Sequence, residues 1–437
     1  MWATGYAIAL SSGNWLLATG AILFLGFLVR PFAISPLLFS EYKVYITYVI
    51  ALSLIVSGAL QLLFTRYVAD RIFELALERV FPNYCGALLL TMSMGFALGL
   101  GLSFVLCRGL PLFFGLLFAS TLGVVSGIWL TSSLLAGLKN YRYVVLAFFL
   151  SYALIAFGTP LGFKLGRLGG AFVFYVGQFV LLCLLAAKVW QSYPSSTLLE
   201  WDFLRKGRSY PVLIFVGLGL NFSLWVDKFL FWMDPITGEN VFGHFRASHL
   251  YDVPVFLSYL SLIPGFAVFF LKLEADFSRS YEVYYRAARG SGTLKDLFRL
   301  QKSLSESAWA TFLDSLMAQG VFIALFIAAE STLLHLLNLK LSISLLNVLL
   351  FGALLQLAFF SLYGLLSYFD RRRELLQVTL LFAFSNGLFT WVTLQLSPKL
   401  YGYGYVVSLG ITVTLALYFL QRFLREIHYW TFMRPGE

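Results

Sequence analysis

The run Trp225-Val-Asp227-Lys228-Phe-Leu-Phe-Trp232 sets a carboxylate beside an ammonium inside an otherwise apolar stretch. An ionisable group at membrane depth is costly, so it is a candidate functional group by default. If the stretch is one helix, Gly219, Ser223 and Asp227 follow one another at i+4 and share a face, with Asp234 near it at the outer end. Asn221 and Lys228, seven residues apart, lie on a neighbouring face. The chemistry on offer is ionic and hydrogen-bonding: one polar side of a helix lining a path for a polar solute. A structural alternative stands beside it. Asp227 falls about 25 Å along the helix at 1.5 Å per residue, in the outer third. There Lys228 would snorkel to the headgroups, or the two charges would enter local ion pairs.

A second candidate is the polar break from Asp234 to Asp252, which holds His244, Arg246, His249, Tyr251 and Asp252. These groups suit an acid–base site, a rim shaping the exit of a polymer path, or a plain solvated loop. The two histidines are five apart, not at the i+4 spacing of a helical zinc site. Two further pairs, Arg66 with Asp70 and Lys272 with Asp276, end apolar runs and would frame a cytoplasmic mouth. No GxxxxGK[ST] and no HExxH occurs, so nothing points to Walker-type nucleotide binding, a catalytic metal or a cofactor. Cys85, Cys107 and Cys183 lie in or beside apolar runs without a CxxC and read as inert thiols. Ser11, Ser12, Asn14, Gln178, Gln356, Ser385 and Asn386 read as helix-to-helix hydrogen bonds. Phe (45), Tyr (24) and Trp (10) are abundant enough both for interfacial belts and for stacking on sugar rings.

These residues are positioned by apolar runs that fill the chain. Only 12% of the 437 residues are charged, against about 25% in soluble domains. Twelve runs are each near the roughly 20 residues that cross a bilayer: 8–29, 44–64, 84–107, 111–137, 143–163, 169–190, 210–233, 253–273, 310–336, 341–368, 375–396 and 402–424. They are continuous rather than alternating, which predicts helices and argues against a β-barrel. No basic n-region precedes the first run, so a cleavable signal peptide is not expected. Placing the N-terminus in the cytoplasm puts 22 of the 31 Lys and Arg residues on the inner side and leaves 9. That asymmetry predicts both termini inside and an even number of spans. The net charge of +10 thus reflects topology and implies no nucleic acid.

Two inner breaks carry helical periodicity: Val68, Ile72 and Leu75 in one, Phe277, Tyr281, Tyr284 and Ala288 in the other. Such basic amphipathic segments lie on lipid headgroups or dock a cytosolic partner. Gly290-Ser291-Gly292 should break the second helix, and Thr293 with Asp296 should restart it as a capping box. The second and eighth runs also match internally. Ser53-Leu-Ile leads to Arg66-Tyr-Val-Ala-Asp70, and Ser261-Leu-Ile leads to Lys272-Leu-Glu-Ala-Asp276. The pattern predicts an all-α polytopic membrane protein of about 12 transmembrane helices in two parallel six-helix bundles, as in secondary transporters. The expected divisions are 1–190, a cytoplasmic linker at 191–209, and 210–437 with an amphipathic segment at 274–308.

Trp225 to Trp232, Tyr251-Asp-Val-Pro-Val-Phe-Leu-Ser-Tyr-Leu-Ser-Leu-Ile-Pro-Gly265, Phe269 to Asp276 and Tyr368-Phe-Asp-Arg-Arg-Arg373 resemble the PelG family. Arg66 to Arg71 and Ser11 to Leu17 resemble it too. The resemblance implies an inner-membrane exporter of the bacterial Pel exopolysaccharide, similar in architecture to the MOP-superfamily MATE and Wzx-type flippases. It implies an N-acetylgalactosamine-rich polymer made by a PelF-like cytosolic glycosyltransferase. It also implies company from PelD- and PelE-like membrane proteins, PelD sensing cyclic-di-GMP. Relatives carry a basic Gly-Ile-Gly-Phe-Glu-Leu-Arg-like segment before the first span, which the sequence from Met1-Trp2-Ala3 does not show. On this reading Asn221, Ser223, Asp227 and Lys228 line the path, and Tyr251 and Asp252 shape its exit. The alternatives are a flippase of lipid-linked oligosaccharide, an ion-coupled small-solute antiporter of the same fold, and a membrane-embedded glycan ligase or polymerase using the His244–His249 loop.

Overall fold

The computed structural model describes residues 36–137, 141–205, 210–336 and 342–433. The first expected span, 8–29, lies outside the described residues. Among those described, ten helices are long and apolar enough to cross a membrane, and one further pair of short helices passes the same test together. The remaining eleven expected spans each coincide with one of these.

The residues assort into two compact units, one of residues 36–225 with 232–248, the other of 226–231 with 249–433. The N-terminal unit contains α1 (Pro36–Phe73), α2 (Val80–Leu106), α3 (Leu112–Gly137), α4 (Tyr141–Phe163), α5 (Gly166–Ser192) and α6 (Val212–Ser223). Helix α1 packs on α3 and α6, α2 on α3, and α4 on α5. The approach of α1 to α6 is backbone to backbone. A Cβ placed on Gly217 would fall far closer to the Gly58 carbonyl oxygen than van der Waals contact allows; such small-residue contacts are what helix association in lipid relies on. Hydroxyls supply the remaining specificity. The Tyr45 and Thr121 hydroxyls are 2.9 Å apart, as are those of Tyr84 and Thr131, and the Trp129 indole donates to Ser53 Oγ at 2.9 Å. The expected linker region does not run free over its described part. Asn83 Oδ1 accepts from the Phe203 amide at 3.2 Å, and the Phe203 ring is buried against Phe64 and Tyr67.

The span expected at 210–233 is broken. Helix α6 ends at Ser223, and α7 (Val226–Met233) begins afresh. The series Gly219–Ser223–Asp227 therefore does not continue as one i+4 stripe. The outer break is ordered by β1 (Glu239–Phe242) and β2 (Phe245–Ala247), an antiparallel hairpin. Asp234 Oδ2 accepts from the Ile236 and Thr237 amides at 3.0 and 2.8 Å. The Arg246 guanidinium donates to the carbonyls of Met233, Asp234 and Gly238. The Arg246 charge holds the turn together, and His244 is exposed.

The C-terminal unit contains α8 (His249–Leu260), α9 (Leu262–Lys272), α10 (Ser278–Arg286), α11 (Leu294–Leu336), α12 (Ile343–Tyr368), α13 (Arg372–Leu396), α14 (Tyr403–Arg425) and α15 (Ile427–Met433). Its core is aliphatic and aromatic, with Leu350, Phe359, Leu362, Phe382, Leu409 and Leu420 fully buried. Gly290 has φ +138° and breaks the helix where expected. The capping box follows: the Thr293 amide donates to Asp296 Oδ2 at 3.1 Å, and the Asp296 amide donates back to Thr293 Oγ1 at 3.3 Å. The apolar face of α10 does not lie on headgroups. Phe277 packs edge-on to Tyr368 and Phe369 at 5.2 and 5.5 Å, and Tyr284 is buried with its hydroxyl 3.0 Å from His428 Nδ1. Burial lowers the pKa of His428 below its ordinary value. Its contact is at full strength above about pH 6.5 and weakens as pH falls from there. The Arg371 guanidinium sits 3.8 Å from the Trp430 ring and 5.1 Å from that of Phe423. It thereby pins α15 by a cation–π contact.

Candidate functional site

Asp227 and Lys228 are adjacent in sequence, and adjacent side chains on a helix do not face one another. The flexible lysine stem nevertheless brings Nζ to 3.1 Å from both Asp227 carboxylate oxygens. Two rings cradle the ammonium, Tyr259 at 4.7 Å and Tyr405 at 5.4 Å from their centroids. Lys228 also donates to the Tyr259 hydroxyl. The carboxylate is held from two further sides. The Tyr251 hydroxyl donates to Oδ2 at 2.8 Å, and the Asn386 amide donates to Oδ1 at 3.5 Å. Both charged side chains are buried, with 1% of Asp227 and 5% of Lys228 exposed.

Five helices fix this geometry. Helix α7 carries the ion pair, and α8 carries Tyr251 and Tyr259, eight residues apart and thus on nearly one face. Stacking on Phe231 at 3.7 Å orients the Tyr251 ring, and Phe231 meets Tyr401 edge-on at 5.3 Å. From α13, Asn386 takes a hydrogen bond from Thr390 on its carbonyl oxygen at 3.2 Å, which turns its amide nitrogen toward Asp227. From α14, Tyr405 donates to Gln356 Oε1 of α12 at 2.6 Å. The result is a neutral, hydrogen-bonded ion pair rather than an open carboxylate. Among the described residues no group of three or more His, Cys, Asp or Glu side chains is placed to hold a metal ion.

The structure thus brings Asp227, Lys228 and Tyr251 together. Lys228 does not snorkel; its ammonium is enclosed by the two tyrosines. Asp252 is half-buried in the first turn of α8, where a carboxylate favours the helix N-terminus. Asn221 and Ser223 belong to the N-terminal unit and bond within their own helix, to the carbonyls of Gly217 at 3.0 Å and Leu220 at 2.7 Å. Arg66 pairs with Asp70 at 3.5 Å, and Asp70 accepts from the Tyr210 hydroxyl at 2.8 Å. In the other unit Lys272 pairs with Asp276 at 3.4 Å and Asp314 at 2.9 Å. The two segments that match in sequence therefore each end on a basic–acidic i+4 pair. Gln356 and Asn386 make interhelical bonds, the role their positions suggested.

Sequence reasoning did not single out Tyr259 and Tyr405, because two tyrosines among 24 carry no signal until the helices are assembled. It also missed a second ion pair. Arg167 Nε donates to Glu41 Oε2 at 2.7 Å, and the guanidinium sits 5.0 Å from the centroid of Phe242. Both residues lie just outside the apolar runs and looked like ordinary break residues. Glu41 is almost fully buried, while Arg167 is 35% exposed. Arg167→Met strands the carboxylate and is expected to lower the stability of the N-terminal unit by about 1–2 kcal/mol, discounted for solvent screening. A fall in melting temperature that Glu41→Gln largely restores in the double variant would check it.

Comparison with known proteins agrees with this architecture. Residues 1–432 match the family described as "PelG: Putative exopolysaccharide Exporter (EPS-E)". No curated protein matches the sequence. An outward-facing multidrug resistance MATE transporter of the MOP superfamily superposes with a TM-score of 0.67 at 13% identity, over 98% of this chain and 96% of that one. An inward-facing MATE structure gives 0.65 at 12% identity, over 94% and 95%. A MOP superfamily transporter from Pyrococcus furiosus, for which a reversed polarity of the binding pocket suggested a different function, gives 0.61 at 12% identity, over 98% and 94%. At these identities the likeness is one of fold.

Proposed function

Since this multi-pass membrane protein belongs to the PelG family of exopolysaccharide exporters, we propose that it carries a nascent N-acetylgalactosamine-rich polysaccharide, the Pel polymer of biofilm matrix, out of the cytosol across the bacterial inner membrane. The family match over nearly the whole chain carries this reading, and the MATE-type transporter fold supports it. A PelF-like glycosyltransferase supplies the growing chain, in company with PelD- and PelE-like membrane proteins. Asp227, Lys228 and Tyr251 act as one buried hydrogen-bonded group that braces the helices beside the path and adds no net charge to it. Asn221, Ser223 and Asp252 contribute to the same path, and Arg66, Asp70, Lys272 and Asp276 frame its inner mouth.

The test is where polymer accumulates when this gene alone is deleted and the pathway is otherwise intact. Labelled UDP-N-acetylgalactosamine reports polymer in cytosol, envelope and medium. Polymer held in the cytosol, or synthesis stalled beside an active transferase, is the expected result; undiminished secreted polymer refutes the reading. The MATE-like fold favours one second reading, ion-coupled antiport of a small solute. Solute transport by the purified protein in liposomes, with no glycosyltransferase present, would select it.

A further inference from the structure

Helix α11 is unbroken from Leu294 to Leu336, 43 residues, or about 64 Å at 1.5 Å per residue. A hydrocarbon core is roughly 30 Å thick, and a tilt of 40° shortens the projection of this helix only to about 49 Å. Its apolar part begins near Trp309, so residues 294–308 stand outside the core, about 22 Å of helix. Helix α10 packs against this part, and the chain between them turns at Gly290. The extramembrane part of α11 has three distinct faces. Leu297, Leu304 and Ala308 are buried, and Gln301 donates to the carbonyl of Leu424 at 2.9 Å, so this face is occupied by the protein itself. On another face Lys295, Arg299 and Lys302 follow at helical spacing and are exposed. Between them, Leu294 and Phe298 are exposed large apolar side chains, and Val283 of α10 is another. From 279 to 308 there are six basic residues against three carboxylates: Glu282, Asp296, which the Thr293 cap engages, and Glu306, which lies 3.9 Å from Lys302.

From this we infer that the tip of the α10–α11 hairpin is a docking surface for a soluble protein with an acidic face, in the cytosol. The positive charge places the tip on the cytoplasmic side. Its length carries it roughly 15 Å past the headgroup layer, beyond the surface where an amphipathic helix rests on lipid. Exposed apolar side chains beside a net positive charge give such a surface both an anchor and electrostatic selection. The inference does not depend on what crosses the membrane.

The test places the photocrosslinker p-benzoylphenylalanine at Leu294 of the full chain in living cells, with a second probe at Leu325, exposed in the apolar part of the same helix. At Leu294 the expected adduct is with a soluble protein. It should fall at least tenfold in the K295E/R299E/K302E variant, while the Leu325 probe continues to report lipid and so correct insertion. The captured protein, purified, should bind the unaltered chain in nanodiscs and lose at least tenfold in affinity at high salt. That second measurement stands even if the triple variant does not insert. Lipid adducts at Leu294, no adduct, a protein adduct indifferent to charge reversal, or a purified partner that does not bind the nanodiscs overturns the inference.

Discussion

Lys228→Met, with Asp227 retained, is expected to destabilise the C-terminal unit by about 3–5 kcal/mol. The substitution leaves the Asp227 carboxylate buried, with hydrogen bonds from Tyr251 and Asn386 and no counter-charge. Desolvation that the ion pair now offsets then weighs on the fold in full. Asp227→Asn should cost less, since the Asn side chain still meets Tyr251 and the Tyr259 and Tyr405 rings still face the ammonium. The double variant Asp227→Asn, Lys228→Met removes both charges and should recover most of the loss, because a neutral pair needs no counter-ion. Thermal unfolding of purified protein in nanodiscs, run as a double-mutant cycle, reads the coupling directly. Additive effects would mean that the two charges do not interact. In cells, Asp227→Asn is expected to cut export while the protein remains in the membrane at normal abundance. Unchanged export would remove Asp227 from the path.

The second large effect is steric. Gly217→Leu is expected to destabilise the N-terminal unit by about 3 kcal/mol or more. The added Cβ meets the Gly58 carbonyl, which is backbone and cannot rotate away. Helices α1 and α6 must then separate, losing the contacts along their shared length. Gly320→Ala is the control. Nothing lies within 4 Å of a Cβ there, so the substitution should leave stability unchanged or raise it by up to about 1 kcal/mol through helix propensity. Comparing the folded fraction extracted from membranes for the two variants checks the contrast. Equal yields would mean that the close approach contributes little.

Elements set by local rules were legible in the sequence. Apolar runs located eleven described spans, because a lipid-exposed backbone must satisfy its own hydrogen bonds whatever surrounds it. The Thr293–Asp296 capping box and the break at Gly290 were legible because each depends on residues within one turn. The basic–acidic pairs Arg66–Asp70 and Lys272–Asp276 were legible because i+4 neighbours meet on any helix. The broken seventh span was not. Hydropathy is continuous from Val212 to Met233, and no proline or glycine marks Leu224 or Trp225. The residues on either side of it, up to Trp225 and from Val226, belong to different units.

The sequence alone also determined that Asp227 and Lys228 lie at membrane depth, because only the run around them sets that depth. Whether the pair would line a cavity, snorkel or neutralise itself depended on groups at 251, 259, 386 and 405, up to 178 positions further along the chain. Those separations carry no periodicity. Only the assembled helices bring the tyrosine rings over the ammonium and the Tyr251 hydroxyl onto the carboxylate. Burial then made ion pairing inside the protein more favourable than leaving either charge uncompensated.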